Sequence, residues 1–146
     1  MKRDLQAPCL TGQTTGIAWS VLTEIAGCLK ALAANGISSS IDLRSLPMSQ
    51  ADRDQLEELL GRGEVNARLE IAGPSEVWET AYSGVWWVRH KGAGGRVATE
   101  EIVVTRIPPI LLAHPDDIEV AAARLNEDLQ SRKTGEPERE VLNDPA

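Results

Sequence analysis

Val85-Trp86-Trp87-Val88-Arg89-His90-Lys91-Gly92-Ala93-Gly94-Gly95-Arg96-Val97-Ala98-Thr99-Glu100-Glu101-Ile102-Val103-Val104 is the stretch whose reading decides the fold. Two runs rich in β-branched and aromatic residues flank a tract of glycines, the pattern of two strands joined by a hairpin. A phosphate-cradling loop would instead open a helix and carry a lysine near its end, so Gly92–Gly95 reads as a turn. Upstream, Glu64–Ile71 alternates strictly between apolar and polar residues, which predicts a strand with one wet and one buried face. Gly73-Pro74 turns the chain into a further strand at about 76–82, and Ser83-Gly84 leads into Val85–Lys91. The last strand runs from Val97 to Ile107, where Pro108 and Pro109 end it. Sequential strands with short turns make an antiparallel meander, to which a weak strand within Ser38–Leu46 adds a fifth member.

Helical periodicity brackets this β region. From Thr15 to Ala34, Ile17, Trp19, Val21, Leu22, Ile25, Cys28, Leu29 and Leu32 fill one broad arc, and Asn35-Gly36 supplies the stop. Ser49 to Asp52 resembles a capping box before a short helix at 50–60, which Gly61 and Gly63 end. Pro115 opens a third helix, with Asp116, Asp117 and Glu119 at its positive end and Arg132 and Lys133 at the other. Ile118, Ala121, Ala122, Leu125 and Leu129 form its expected buried stripe. The expected fold is α+β, a four- to five-stranded antiparallel meander sheet with about three helices packed on one face. Residues 1–15 read as a flexible arm, 16–133 as a single domain and 134–146 as a disordered acidic tail.

The 146 residues suit one domain, and the formal net charge of -7 argues against nucleic acid or an anionic membrane as partner. A basic peptide or protein patch is the easier match. No stretch approaches eighteen apolar residues and no uninterrupted apolar run precedes Glu24, so neither a membrane span nor a signal peptide is expected. Cys9 and Cys28 fit no disulfide framework or CxxC pair, and read as free thiols in a reducing cytosol.

Catalytic patterns are missing. Neither cysteine has a histidine placed beside it by sequence, and no GxSxG elbow occurs. The acidic pairs Glu57-Glu58, Glu100-Glu101 and Asp116-Asp117 point apart on either kind of element and read as solvated charge. His90 and His114, with Cys9 and Cys28, are the only residues for a metal or iron–sulfur handling role, and they lack ligand spacing. No cofactor and no enzymatic activity are expected.

The aromatic inventory points elsewhere. There is no Phe, one Tyr and four Trp, and Trp78, Tyr82, Trp86 and Trp87 fall within ten residues. Trp86 and Trp87 must face opposite sides of a sheet. If helices cover one face only, one indole lies on the other, where aromatics make a common binding surface. Trp78, Glu79, Thr80, Tyr82, Gly84, Trp86 and Trp87 are therefore the expected partner-binding residues. The alternatives are that both indoles are core, or that the aromatic face is the interface of a homodimer or larger homo-oligomer.

The ordered series Ile41-Asp42-Leu43-Arg44-Ser45-Leu46-Pro47, Leu59-Leu60-Gly61-Arg62-Gly63-Glu64-Val65, Glu79-Thr80-Ala81-Tyr82-Ser83-Gly84-Val85-Trp86-Trp87-Val88 and Val104-Thr105-Arg106-Ile107-Pro108 resembles the C-terminal domain of the HupH/HyaF hydrogenase expression proteins. The resemblance covers about residues 16–113. It implies an accessory factor for maturation of [NiFe] uptake hydrogenases, acting in the cytoplasm as a non-enzymatic chaperone. The implied partners are a hydrogenase subunit precursor, particularly the iron–sulfur small subunit with its twin-arginine leader, and other maturation factors. It carries over no catalytic residue. An acidic surface suits a basic leader, by speeding encounter more than by setting affinity.

Overall fold

The computed structural model describes residues 12–70 and 73–134. Residues 1–11 of the expected arm, Cys9 among them, and residues 135–146 of the expected tail lie outside the described residues. Those described form three α-helices and a five-stranded antiparallel sheet, an α+β fold as the turn and periodicity signals require. They fall into two compact units, one running to Pro108 and the other from Pro109.

In the first unit, α1 (Ile17–Asn35) leads to β1 (Ser39–Asp42) and, after a single 3-10 turn, to α2 (Gln50–Leu60). The strands β2 (Asn66–Glu70), β3 (Pro74–Glu79), β4 (Val85–Lys91) and β5 (Val97–Val104) follow. The sheet order is β1-β5-β4-β3-β2. The meander expected from the hairpin signals is thus β2 to β5, and β1, first in sequence, closes onto the last strand with Ile41 opposite Ile102. Strand bounds shrink relative to the sequence reading because backbone hydrogen bonds at the ends go to turns. Thr80 N donates to Val85 O and Thr105 N to Gly84 O, so the strand expected to reach Tyr82 ends at Glu79 and that expected to reach Ile107 ends at Val104.

Register sorts the side chains. Trp78 pairs with Trp87 and Trp87 with Ile102, which puts all three on the face covered by α1 and α2. There they join Ala18, Val21 and Ile25 of α1 and Leu56 and Leu60 of α2 in one core cluster. Further along the same face the register sets Arg68, Glu76, Arg89 and Glu100 side by side, an alternating ladder of charge. The reverse face carries Val77, Trp86, Val88 and Val103, all buried.

The α2 N-terminus forms the expected capping box. Asp52 N donates to Ser49 Oγ and Ser49 N to Asp52 Oδ2, both at 3.0 Å. Thr15, at the end of the expected arm, adds two more bonds, from its N to Asp52 Oδ1 at 2.7 Å and from its hydroxyl to Oδ2 at 2.8 Å. Burial alone would push the Asp52 carboxyl up, but these donors from Ser49 and Thr15 outweigh it and hold its pKa below the ordinary value.

Two expectations need correction. An eighteen-residue window of α1 has a mean hydropathy of 1.4, so by length and composition alone it is apolar enough to cross a membrane. Ile17, Val21, Leu22, Ile25, Leu29 and Leu32 produce that value, and five alanines add to it against Glu24 and Lys30. The helix packs Ala18, Val21 and Ile25 into the core instead. In the second unit, α3 (Pro115–Lys133) begins and ends where the capping and charge signals place it, with Asp116 N donating to His114 Nδ1. Its apolar stripe was expected to be buried, yet no residue of α3 is, and Leu125 is 62% exposed. The periodicity reports an amphipathic helix, but it cannot report what covers the apolar side.

Candidate functional site

The aromatic segment is held by the loop after α2. Gly63 N donates to Glu79 O at 2.7 Å, Glu79 N to Val65 O at 2.9 Å and Ala81 N to Leu60 O at 2.9 Å. A Cβ on Gly63 would stand 2.5 Å from Thr80 O, so only glycine permits this approach. The same loop places the Arg62 guanidinium 3.8 Å over the Trp78 ring. Trp78 in turn stacks on Trp87, with centroids 5.6 Å apart and planes 8° from parallel. The Leu60–Val65 and Glu79–Val88 runs, distant in sequence, form one packed unit.

Charge beneath the stack is paired. Glu100, almost wholly buried, accepts from Trp87 Nε1 and from Arg89 Nε, each at 2.8 Å. Arg89 also reaches Glu57 at 3.1 Å, and Glu57 meets Arg62 at 3.5 Å. Burial works against the Arg89 charge, but the bonds and negative charge of Glu100 and Glu57 more than offset it and raise its pKa. With every charge partnered, this cluster supports the two indoles from below.

Trp86 faces away from Trp87, as strand alternation demands, but is only 5% exposed and donates its Nε1 hydrogen to Thr105 O at 3.1 Å. Of the seven residues singled out from the sequence, Trp78, Thr80, Trp86 and Trp87 are buried and Glu79 and Gly84 are half-buried. Tyr82 stands out at 52% exposed. The turn that carries it is fixed by Thr80, whose Oγ1 accepts from Tyr82 N at 3.1 Å, and by Glu79, whose Oε2 accepts from Gly84 N at 3.3 Å. Gly84 has a φ of 89° and lies against Leu29 and Leu32 of α1, so the turn abuts that helix.

Beside this turn lies an apolar hollow of about 500 Å³, lined by Leu22, Ile25, Ala26, Leu29 and Ala33 of α1 together with Leu60, Tyr82 and Val85; among the described residues Lys30 is the one charged member of its lining. The exposed indole among the four belongs to Trp19, 54% exposed and one turn before Leu22. Sequence reasoning placed Trp19 within the apolar arc of α1 and did not separate the flank that faces the sheet from the flank that faces outward. The width of that arc, too broad for one contact surface, was the available signal.

The groups considered for a metal are dispersed in role. His114 caps α3, His90 Nδ1 is hydrogen-bonded to Ser75 Oγ, and Cys28 is a half-buried free thiol packed against the core cluster. Among the described residues no three His, Cys, Asp or Glu side chains gather in a way that could hold an ion.

Comparison with known proteins places these features in a family. Residues 17–131 match the family described as the HupH hydrogenase expression protein, C-terminal conserved region. The chain is 32% identical over 112 residues to the hydrogenase expression/formation protein HoxQ of Azotobacter vinelandii, covering 75% of this chain and 40% of that protein. It is 35% identical over 88 residues to the hydrogenase-1 operon protein HyaF of Escherichia coli strain K12, covering 60% of this chain and 31% of HyaF. The chain thus corresponds to two fifths or less of the length of these relatives. The solved structure of the hydrogenase expression protein HupH from Thiobacillus denitrificans ATCC 25259 superposes with a TM-score of 0.78 at 37% identity, over 82% of this chain and 99% of that one. The matched range takes in both Leu60–Val65 and the tryptophan stack onto which it docks, and the chain belongs to the HupH family of hydrogenase expression proteins, matching its C-terminal conserved region.

Proposed function

We propose that this chain is a non-catalytic factor of hydrogenase maturation that binds an immature hydrogenase subunit, the iron–sulfur small-subunit precursor, in the cytoplasm. The observation that carries this reading is the apolar hollow along α1 with Tyr82 on its rim, in a chain of this family. An open apolar surface edged by rigid aromatics buries much area at little entropic cost, which suits a client not yet folded. Tyr82, flanked by Glu79 and Gly84, makes the contact, and Trp19 extends it along the helix. Trp78, Thr80, Trp86 and Trp87 act from below, holding the turn in place. The net charge of -7 steers a basic leader toward the chain.

Titration of the purified chain with the precursor small subunit, followed by fluorescence anisotropy of a labelled precursor, tests the assignment. Wild-type chain is expected to bind, and Tyr82→Ala to weaken binding about tenfold, the effect of truncating one interface aromatic. Absence of binding, or equal affinity of wild type and Tyr82→Ala, overturns it.

A further inference from the structure

Away from the hollow of α1, the ladder of charge on the sheet opens into a trough made of two smaller hollows. One, of about 240 Å³, is lined by Arg68, Pro74, Ser75, Glu76, Arg89 and Lys91. The other, of about 290 Å³, lies against α2 and includes Arg44, Arg53, Asp54, Glu57 and Glu100 in its lining. Arg89 and Lys91 line both, so the two adjoin. Most of this charge is self-contained. Arg53 and Arg89 meet Glu100, Arg89 and Arg62 meet Glu57, and Arg62 meets Glu76. Three guanidinium groups thus face three carboxylates, and that network is neutral. Arg44, Arg68 and Lys91 stand outside it. All three are exposed, and among the described residues none of them is in an ion pair. Asp54, the one further carboxylate of the lining among the described residues, accepts from Gln50 Nε2 at 3.0 Å. The trough therefore holds a surplus of two positive charges, in a chain whose formal net charge is -7.

We propose that this trough binds a small polyanion carrying two or more phosphate or carboxylate groups, with Arg44, Arg68 and Lys91 as its contacts. The guanidinium forks of Arg44 and Arg68, one in each hollow, match either group with paired hydrogen bonds. The Lys91 ammonium, common to both hollows, adds a point charge. Arg68 and Lys91 lie two strands apart, about 10 Å across the sheet, a span that two long side chains close around a ligand. Charge also selects the size of the ligand. The net charge of -7 repels an extended polyanion such as nucleic acid or an acidic protein. A small anion responds mainly to the cations beside it, because physiological salt screens fields beyond about 8 Å. The trough shares no lining residue with the α1 hollow, and the proposal stands whether or not a precursor binds there.

Isothermal titration calorimetry of the full chain at low ionic strength, with pyrophosphate in one arm and citrate in the other, tests the site. Wild type is expected to bind at least one of them at millimolar concentration, and the arm that binds identifies the group recognised. Arg44→Ala, Arg68→Ala and Lys91→Ala, all at exposed positions that leave the core intact, are each expected to weaken binding about threefold, the worth of one exposed charge pair. The triple variant is expected to lose about thirtyfold if the three act independently. Arg106→Ala removes an exposed cation just past the end of β5, whereas the trough lies at the start of that strand, and is expected to leave the affinity unchanged. Failure of wild type to bind either anion overturns the proposal. So does binding that the three substitutions leave intact, or that Arg106→Ala weakens equally, since the response would then follow net charge and not the trough.

Discussion

At the scale of single residues, the most consequential position in the aromatic segment is a glycine. Gly63 donates to Glu79 O and has Thr80 O where its Cβ would be. The obstructing atom is backbone, so relief requires the loop to move away from the turn that presents Tyr82. Gly63→Ala is therefore expected to cost about 1–3 kcal/mol, the range for overpacking a close contact. Gly94→Ala, where nothing lies within 4 Å, should be near neutral. Chemical denaturation of the two variants checks the pair. The Gly-Arg-Gly run is legible in the sequence as a helix stop. That Arg62 between the glycines lies on Trp78 is not, because the contact joins residues sixteen positions apart.

At the scale of elements, α1 does two jobs with two flanks. Ala18, Val21 and Ile25 enter the core, while Trp19, Leu22 and Ala26 lie toward the outer side. Three of the four indoles are buried and Trp19 is not. Iodide, a quencher that does not enter protein interiors, is therefore expected to reach about one quarter of the tryptophan emission if the four contribute equally. Trp19→Phe should abolish that fraction, and stepwise loss from several indoles would contradict the assignment. Helix α2 shows the opposite case, an element whose limits are read directly from sequence. Its capping residues Ser49 and Asp52 act locally, so no distant contact was needed to place its start.

At the scale of the whole molecule, two carboxylates pull stability in opposite directions with pH. Hydrogen bonds outweigh burial at Asp52 and lower its pKa from 3.8, so the fold favours its ionised form. That contribution is fully present above the ordinary value and is lost as pH falls through the lower folded value. Burial, then the charge of Asp42 directly opposite across β1 and β5, raises the pKa of Glu101 above 4.5. Its charge therefore costs stability at neutral pH, and the cost vanishes below the ordinary value. Asp52→Asn is expected to lose about 1–3 kcal/mol at pH 7, the cost of disturbing a buried hydrogen-bonded group, with a shallower decline toward pH 3. Glu101→Gln should gain stability at pH 7 and match wild type by pH 4. Urea denaturation of both variants and wild type across the range from about pH 7 down to about pH 3 measures both.

By itself the sequence determined what depends on neighbours along the chain: the helix limits, the β2 to β5 meander, the turns, and the opposite facing of Trp86 and Trp87. Capping, turn chemistry and side-chain alternation act over a few residues and leave a readable pattern. Only the tertiary structure decided that β1 pairs with β5, that Trp86 is as buried as Trp87, and that the surface aromatics are Trp19 and Tyr82. Burial depends on which distant segments come to lie against a face, and no local period encodes that. The stripe of α3 marks the limit of such reading, since its spacing specifies an apolar partner without naming one.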